Sequence, residues 1–205
     1  MDRRVIGAQH WTDSDTPQVW RGTGALSIAA GVAWVVFDAR ERFSFSNDWS
    51  CDSTNGYLMN AVDTIAMLGL ASVLLSLFFA FRADARRWLS LPALSAALGF
   101  AIAGTVNLIE HCVVSHMIES SPLGLPPYTL GGLIAIPSVI LFALALTRVR
   151  GVPRWCAWTL VVGAVSFPLL GYGGGILIFG LAWVVFGAYL LAVTEPGKAR
   201  AEPPA

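Results

Sequence analysis

Six long runs of apolar residues alternate along the chain with short polar segments. Each run is close to the roughly 20 residues that a helix needs to cross a hydrocarbon layer about 30 Å thick. Backbone groups cannot remain unpaired in lipid, so such runs are expected to be helices rather than open strands. The pattern therefore predicts an all-α, polytopic integral membrane protein, a bundle of six transmembrane helices. The predicted spans are residues 21–39, 57–81, 91–114, 128–147, 155–170 and 174–193.

The polar segments complete this organisation. Residues 1–20 are mixed in charge and are predicted to be a cytoplasmic N-terminal tail. The longest polar loop is expected at 38–56, and the glycine-rich stretch 171–175 is expected to be a turn between the last two spans. Residues 194–205 contain three prolines and are predicted to be a disordered cytoplasmic tail.

Positive charges set the expected orientation, because cytoplasmic loops carry an excess of Lys and Arg. With the N-terminus inside, eleven of the thirteen Lys and Arg residues are cytoplasmic, and only Arg40 and Arg42 are outside. The distribution therefore predicts that both termini are cytoplasmic. The expected location is the plasma (inner) membrane of a bacterium.

Composition supports the membrane interpretation and excludes several alternatives. The chain is 56% hydrophobic and only 13% charged, whereas a soluble domain carries roughly 25% charged residues. Its formal net charge is zero, so it lacks the basic surface that binding to nucleic acid requires. The expected partner is the lipid bilayer, together with another protein or a second copy of the chain.

A group of polar residues is expected between the second and third spans. Asp63 lies six residues into the second span, about 9 Å below the outer surface. Asn107 and Glu110 lie about 24 Å and 28 Å above the inner start of the third span, by the same helical rise. All of these residues then fall in the outer third of the bilayer. The predicted patch consists of Asn60, Asp63, Thr64, Asn107, Glu110 and His111.

This patch has two interpretations. An ionisable residue inside a membrane is a functional candidate by default, and a carboxylate beside a histidine is typical of proton relays. The patch would then be a proton or cation site open to the outer face. Alternatively, Asn, Thr and carboxylate side chains hydrogen-bond across helices without binding anything.

The cysteines and the remaining histidine suggest two further sites near the outer face. Cys51 in the outer loop and Cys112 at the end of the third span could form a disulfide, since that compartment is oxidising in bacteria. Cys112 and His116 share a helical face at i,i+4 spacing and form a weak metal-site candidate. No metal-binding motif such as His-Glu-x-x-His is present in the sequence.

Absences in the sequence restrict the function. No lysine lies in a predicted span, which excludes a retinal Schiff base, and there is no Gly-x-Ser-x-Gly nucleophile motif. The sequence indicates no cofactor and no catalytic residues, so it favours a protein without enzymatic activity but leaves that question open.

Three functions remain. The first is a non-catalytic membrane component or accessory subunit that works through helix packing, which small residues in the spans would permit. The second is a small cation- or proton-coupled transporter that uses Asp63 and Glu110. The third is an intramembrane metal or redox protein. The small residues concerned are Gly69, Ala71, Gly99, Gly104, Gly180 and Gly187.

Overall fold

The computed structural model describes residues 16–43, 53–83, 87–112, 127–149 and 152–193. Over these residues the chain forms α-helices and one short 3-10 turn, and contains no strand, so the predicted all-α class is confirmed. The helices are α1 (Thr16–Phe43), α2 (Thr54–Ala83), α3 (Arg87–Cys112), α4 (Pro127–Leu146), α5 (Arg154–Leu170) and α6 (Gly175–Val193), with the 3-10 turn at Gly171–Gly173.

Five of these helices are long and apolar enough to cross a membrane. The exception is α5, which is apolar but has only 17 residues. Large apolar side chains point away from the bundle. Ile65 and Leu169, for example, have exposed fractions of 63% and 74%. Water disfavours an apolar surface of this kind, whereas lipid chains solvate it. The bundle is therefore compatible with a multi-pass membrane protein.

The helices pack in a ring. Each helix contacts the next one along the chain, and α1 also contacts α6, which closes the ring. Aromatic side chains fill its interior: the Phe81 and Phe142 ring centroids are 6.3 Å apart, and those of Phe100 and Phe179 are 6.1 Å apart. These pairs join α2 to α4 and α3 to α6, so the centre of the bundle is a packed core.

Two ends of the bundle are distinguished below. The glycine-turn end is where α1, α3 and α5 end and where α2, α4 and α6 begin, and it contains Gly171 to Gly174. The arginine end is the opposite one, and it contains Arg21, Arg148 and Arg154.

Pairs of glycines bring the backbones of α1 and α6 into contact. A Cβ added to Gly31 would lie 2.5 Å from the carbonyl oxygen of Gly180, and one added to Gly180 would lie 2.7 Å from that of Gly31. The same reciprocal arrangement occurs seven residues away, at Gly24 and Gly187, with distances of 2.9 and 2.5 Å. Seven residues are about two helical turns, so the two contacts lie on one stripe of each helix.

The small residues that were expected to permit contact with a partner helix instead pack against other helices of the same chain. A Cβ on Gly99 would lie 2.8 Å from the carbonyl oxygen of Gly131 in α4. Gly69 faces Ala30 and Gly104 faces Met67, each at 3.0 Å from the added Cβ to the neighbouring Cβ. These residues hold the bundle together, so they are no argument for a partner.

The first helix is longer than the span predicted at 21–39. It continues to Phe43, past the expected start of the outer loop, and Arg40 and Arg42 lie in its last turn. Two interactions favour the extension: Arg42 pairs with Asp38 one turn earlier, and basic side chains are stabilised at the C-terminus of a helix.

Candidate ion-binding site

Asp63 lies inside the bundle. It is only 6% exposed, and on α2 it precedes Leu70 and Leu77 by seven and fourteen residues. Those two leucines are 0% and 1% exposed, so Asp63 occupies a position on the interior stripe of the helix. An aspartate therefore replaces a core residue at this level.

A hydrogen bond connects α2 and α3 beside Asp63. The Asn107 Nδ2 donates to Thr64 Oγ1 at 3.3 Å, and both side chains are buried. The register follows from Gly104, which lets α3 approach Met67 one turn further from the glycine-turn end. The structure thus brings Thr64 and Asn107 together, and Asp63 directly precedes Thr64 in α2.

Asn60 lies one turn before Thr64 and is fully buried. Its Nδ2 donates to the carbonyl oxygen of Gly56 at 3.1 Å, within the same helix. This bond gives the amide nitrogen a partner within α2, whereas the buried amide oxygen accepts no hydrogen bond from the described residues.

Asp63 itself is incompletely satisfied. Its Oδ1 is buried and has no hydrogen-bond partner among the described residues. A buried polar atom without a partner costs about 1–3 kcal/mol, and more if it is charged. Of the polar atoms in the patch, Asp63 Oδ1 is therefore the one at which a bound proton or cation would lower the free energy most.

The other predicted site residues are placed less completely. Glu110 and His111 lie in the last turn of α3, about one turn beyond Asn107. Their side chains are outside the described residues. The same holds for the side chain of Cys112, and Cys51 and His116 lie entirely outside the described residues. The disulfide and the weak metal site stay predictions. In the part of the chain that the structure describes, no three His, Cys, Asp or Glu residues form a metal site.

A second buried carboxylate was not predicted. Asp38 is 0% exposed, although the sequence assigned it to the outer loop. It follows Gly24 and Gly31 at the same seven-residue spacing, so it lies on the stripe of α1 that faces α6. This seven-residue spacing is the feature of the sequence from which the burial of Asp38 could have been predicted.

Arg42 connects Asp38 to the glycine turn. Its Nε donates to Asp38 Oδ2 at 2.5 Å, and the guanidinium lies where a side chain of Gly174 would be, 2.9 Å from an added Cβ. Gly174 has a φ of 119°, which favours glycine. The Asp38–Arg42 pair therefore lies against the glycine turn, next to the beginning of α6.

Replacing Arg42 with glutamine is expected to lower the free energy of unfolding by about 2 kcal/mol, because it leaves the buried Asp38 carboxylate without its cation. Asp38→Asn is expected to cost less, since the Arg42 side chain is 36% exposed and can turn to solvent. Thermal unfolding in mild detergent measures both. The double variant should be more stable than Arg42→Gln alone, and equal losses for the two single variants would contradict the assignment.

Comparison of the chain with protein-family models, with curated proteins and with solved structures gives no match. The function is therefore inferred from the site itself.

Proposed function

We propose that this protein is a non-catalytic component of the plasma membrane that binds a proton or a small monovalent cation at Asp63. The observation that carries the proposal is the buried Oδ1 of Asp63, to which no described residue donates. An ionised carboxylate without a counter-charge is expensive in an apolar interior, and a proton or a cation removes that cost. The other described members of the patch, Asn60, Thr64 and Asn107, are buried and neutral, so the single carboxylate of Asp63 matches a single positive charge.

The remainder of the core favours binding without passage through the bundle. Between Asp63 and the arginine end, the interior stripe of α2 continues with Leu70, Leu74 and Leu77, all at most 1% exposed. Nearest the arginine end, the paired rings of Phe81 and Phe142 fill the centre. The occupant therefore enters and leaves at the glycine-turn end, and its binding changes how α2 and α3 pack there.

The proposed topology has six spans with both termini in the cytoplasm of a bacterium. The charge distribution supports it, since eleven of the thirteen basic residues then lie inside. The glycine-turn end, with Asp63, is then the outer one, where protons and cations of the external medium are available.

A cation- or proton-coupled carrier is the second candidate. The position of Asp63 on the interior stripe, rather than on the lipid-facing surface, favours it. Intramembrane ionisable residues in such positions mark transport pathways. A carrier would have to open the Leu70 to Phe81 half of the core in its transport cycle.

The first test compares the thermal unfolding of wild type and Asp63→Asn over a range of pH and of Li⁺, Na⁺ and K⁺ concentrations. Wild type should be stabilised by its ligand, by about 2.7 kcal/mol at a hundred times the dissociation constant. If the ligand is a proton, stabilisation grows as the pH falls. Asp63→Asn should show no such response and should unfold close to the ligand-saturated wild type, because the amide is neutral.

Asp38→Asn is the matched control, since it neutralises the other buried carboxylate and should leave the response intact. The proposal is wrong if Asp63→Asn responds like wild type, or if Asp38→Asn alone abolishes the response. Uptake into proteoliposomes separates the two candidates: a gradient of the stabilising ion that drives flux through wild type, and not through Asp63→Asn, indicates a carrier.

A further inference from the structure

The exposed surface at the turn between α4 and α5 combines arginine and tryptophan side chains. Arg148 and Arg154 lie on either side of this turn and are both exposed. Trp155 and Trp158 follow in the first turns of α5 and are 56% and 51% exposed. Two arginines beside two outward-facing indoles therefore occupy the margin of the apolar surface.

The two ends of this turn are anchored in the bundle. The amide of Val149 donates to the carbonyl of Leu146 at 3.0 Å, and that of Val152 donates to Val149 at 3.4 Å. Val149 is 5% exposed and belongs to the core. The ring of Trp155 meets Tyr189 of α6 edge-on, with centroids 6.3 Å apart. Each of the two arginines thus lies next to a residue that packs on the bundle, Arg148 before Val149 and Arg154 before Trp155.

Within the described residues, no acidic side chain pairs with either of these two arginines. Neither Arg148 nor Arg154 forms an ion pair with a described residue. The acidic residues of the described helices are Asp38, Glu41, Asp63 and Glu110, all toward the glycine-turn end. The charges of Arg148 and Arg154 are therefore uncompensated by any acidic residue of the described part of the chain.

We propose that Arg148, Arg154, Trp155 and Trp158 bind the headgroup of an anionic phospholipid. The planar guanidinium groups suit the phosphate, to which arginine donates bidentate hydrogen bonds. Indole rings prefer the level of the headgroups, with their apolar faces toward the chains. Basic surfaces next to transmembrane helices attract anionic lipids by about 1 kcal/mol for each Lys or Arg. The site is independent of Asp63.

The experiment measures the binding of phosphatidylglycerol to the detergent-solubilised protein, by titrated thermal shift and by native mass spectrometry. Arg148→Gln and Arg154→Gln should each weaken apparent affinity about fivefold, and the double variant about 30-fold. Both side chains are exposed, so the variants should unfold like wild type without lipid. Arg40→Gln is the control, because it removes an exposed arginine from the glycine-turn end and should bind phosphatidylglycerol as wild type does.

Three results would overturn the proposal. In the first, Arg40→Gln weakens binding as much as Arg148→Gln does, which indicates a net-charge effect. In the second, phosphatidylcholine stabilises wild type as well as phosphatidylglycerol does, which means that the headgroup charge is not recognised. In the third, inorganic phosphate at the same concentration gives the same stabilisation, which makes the ligand a free anion rather than a lipid.

Discussion

Alanine in place of Gly31 is expected to lower the free energy of unfolding by about 2–3 kcal/mol. The new methyl group would lie 2.5 Å from the carbonyl oxygen of Gly180 and 2.9 Å from the backbone nitrogen of Val184. Both are backbone atoms, so they cannot turn aside as a flexible side chain would. The α1 and α6 helices must separate, and the contacts along their whole stripe are weakened. Thermal unfolding in mild detergent measures the loss.

Gly22→Ala is the matched control for this prediction. It adds the same methyl group to the same helix, at a position where nothing lies within 4 Å. Its effect should stay within about 1 kcal/mol, because only the intrinsic preference of alanine over glycine in a helix is involved. Similar losses in the two variants would mean that the close approach of α1 to α6 is absent in solution.

Alanine in place of Trp34 is expected to cost about 3–5 kcal/mol, the range for a large aromatic residue in a core. Trp34 is 2% exposed and meets Phe37, Phe167 and Phe179 edge-on, with centroids 6.1, 5.4 and 5.8 Å away. In lipid the cost arises mainly from lost van der Waals contact, since the hydrocarbon surroundings supply little hydrophobic driving force.

Trp88→Ala serves as the comparison for Trp34→Ala, because it deletes an indole that is 46% exposed in the first turn of α3. It should lower the unfolding midpoint by much less. An equal fall in both variants would show that Trp34 does not occupy the centre of the bundle. The two variants should be compared in the same detergent, at the same protein concentration.

Helical class was predictable from the sequence because lipid leaves a long apolar run few alternatives. The burial of Asp63 was predictable for a related reason, since the residue interrupts an apolar run and shares its interior stripe with Leu70 and Leu77. Helical rise alone put Thr64 and Asn107 at one level. Predicting their hydrogen bond would also have required the rotation of α3 about its axis. That rotation depends on the contact of Gly104 with Met67.

The burial of Asp38 was not predictable from local hydropathy. It lies at the very end of the predicted span 21–39, where the polar loop 38–56 was expected to begin. What encloses it is the pairing of α1 with α6, a contact between residues about 150 positions apart, such as the Ser27 hydroxyl and the Trp183 carbonyl. For the glycines, composition indicated that close contacts would form, and only the fold shows that their neighbours belong to the same chain.

The short fifth helix has a consequence for the membrane around the protein. Its 17 residues extend about 26 Å, less than the roughly 30 Å of an ordinary hydrocarbon layer. In the proposed six-span topology, the lipid beside α5 has to become thinner by about 4 Å, while the longer α2 can tilt. The thinning of the bilayer is thus expected to be greatest beside α5, the shortest of the six helices. The stability of the protein should then depend on acyl-chain length because of α5. Bilayers of shorter-chain lipids match this helix better and should stabilise the protein more.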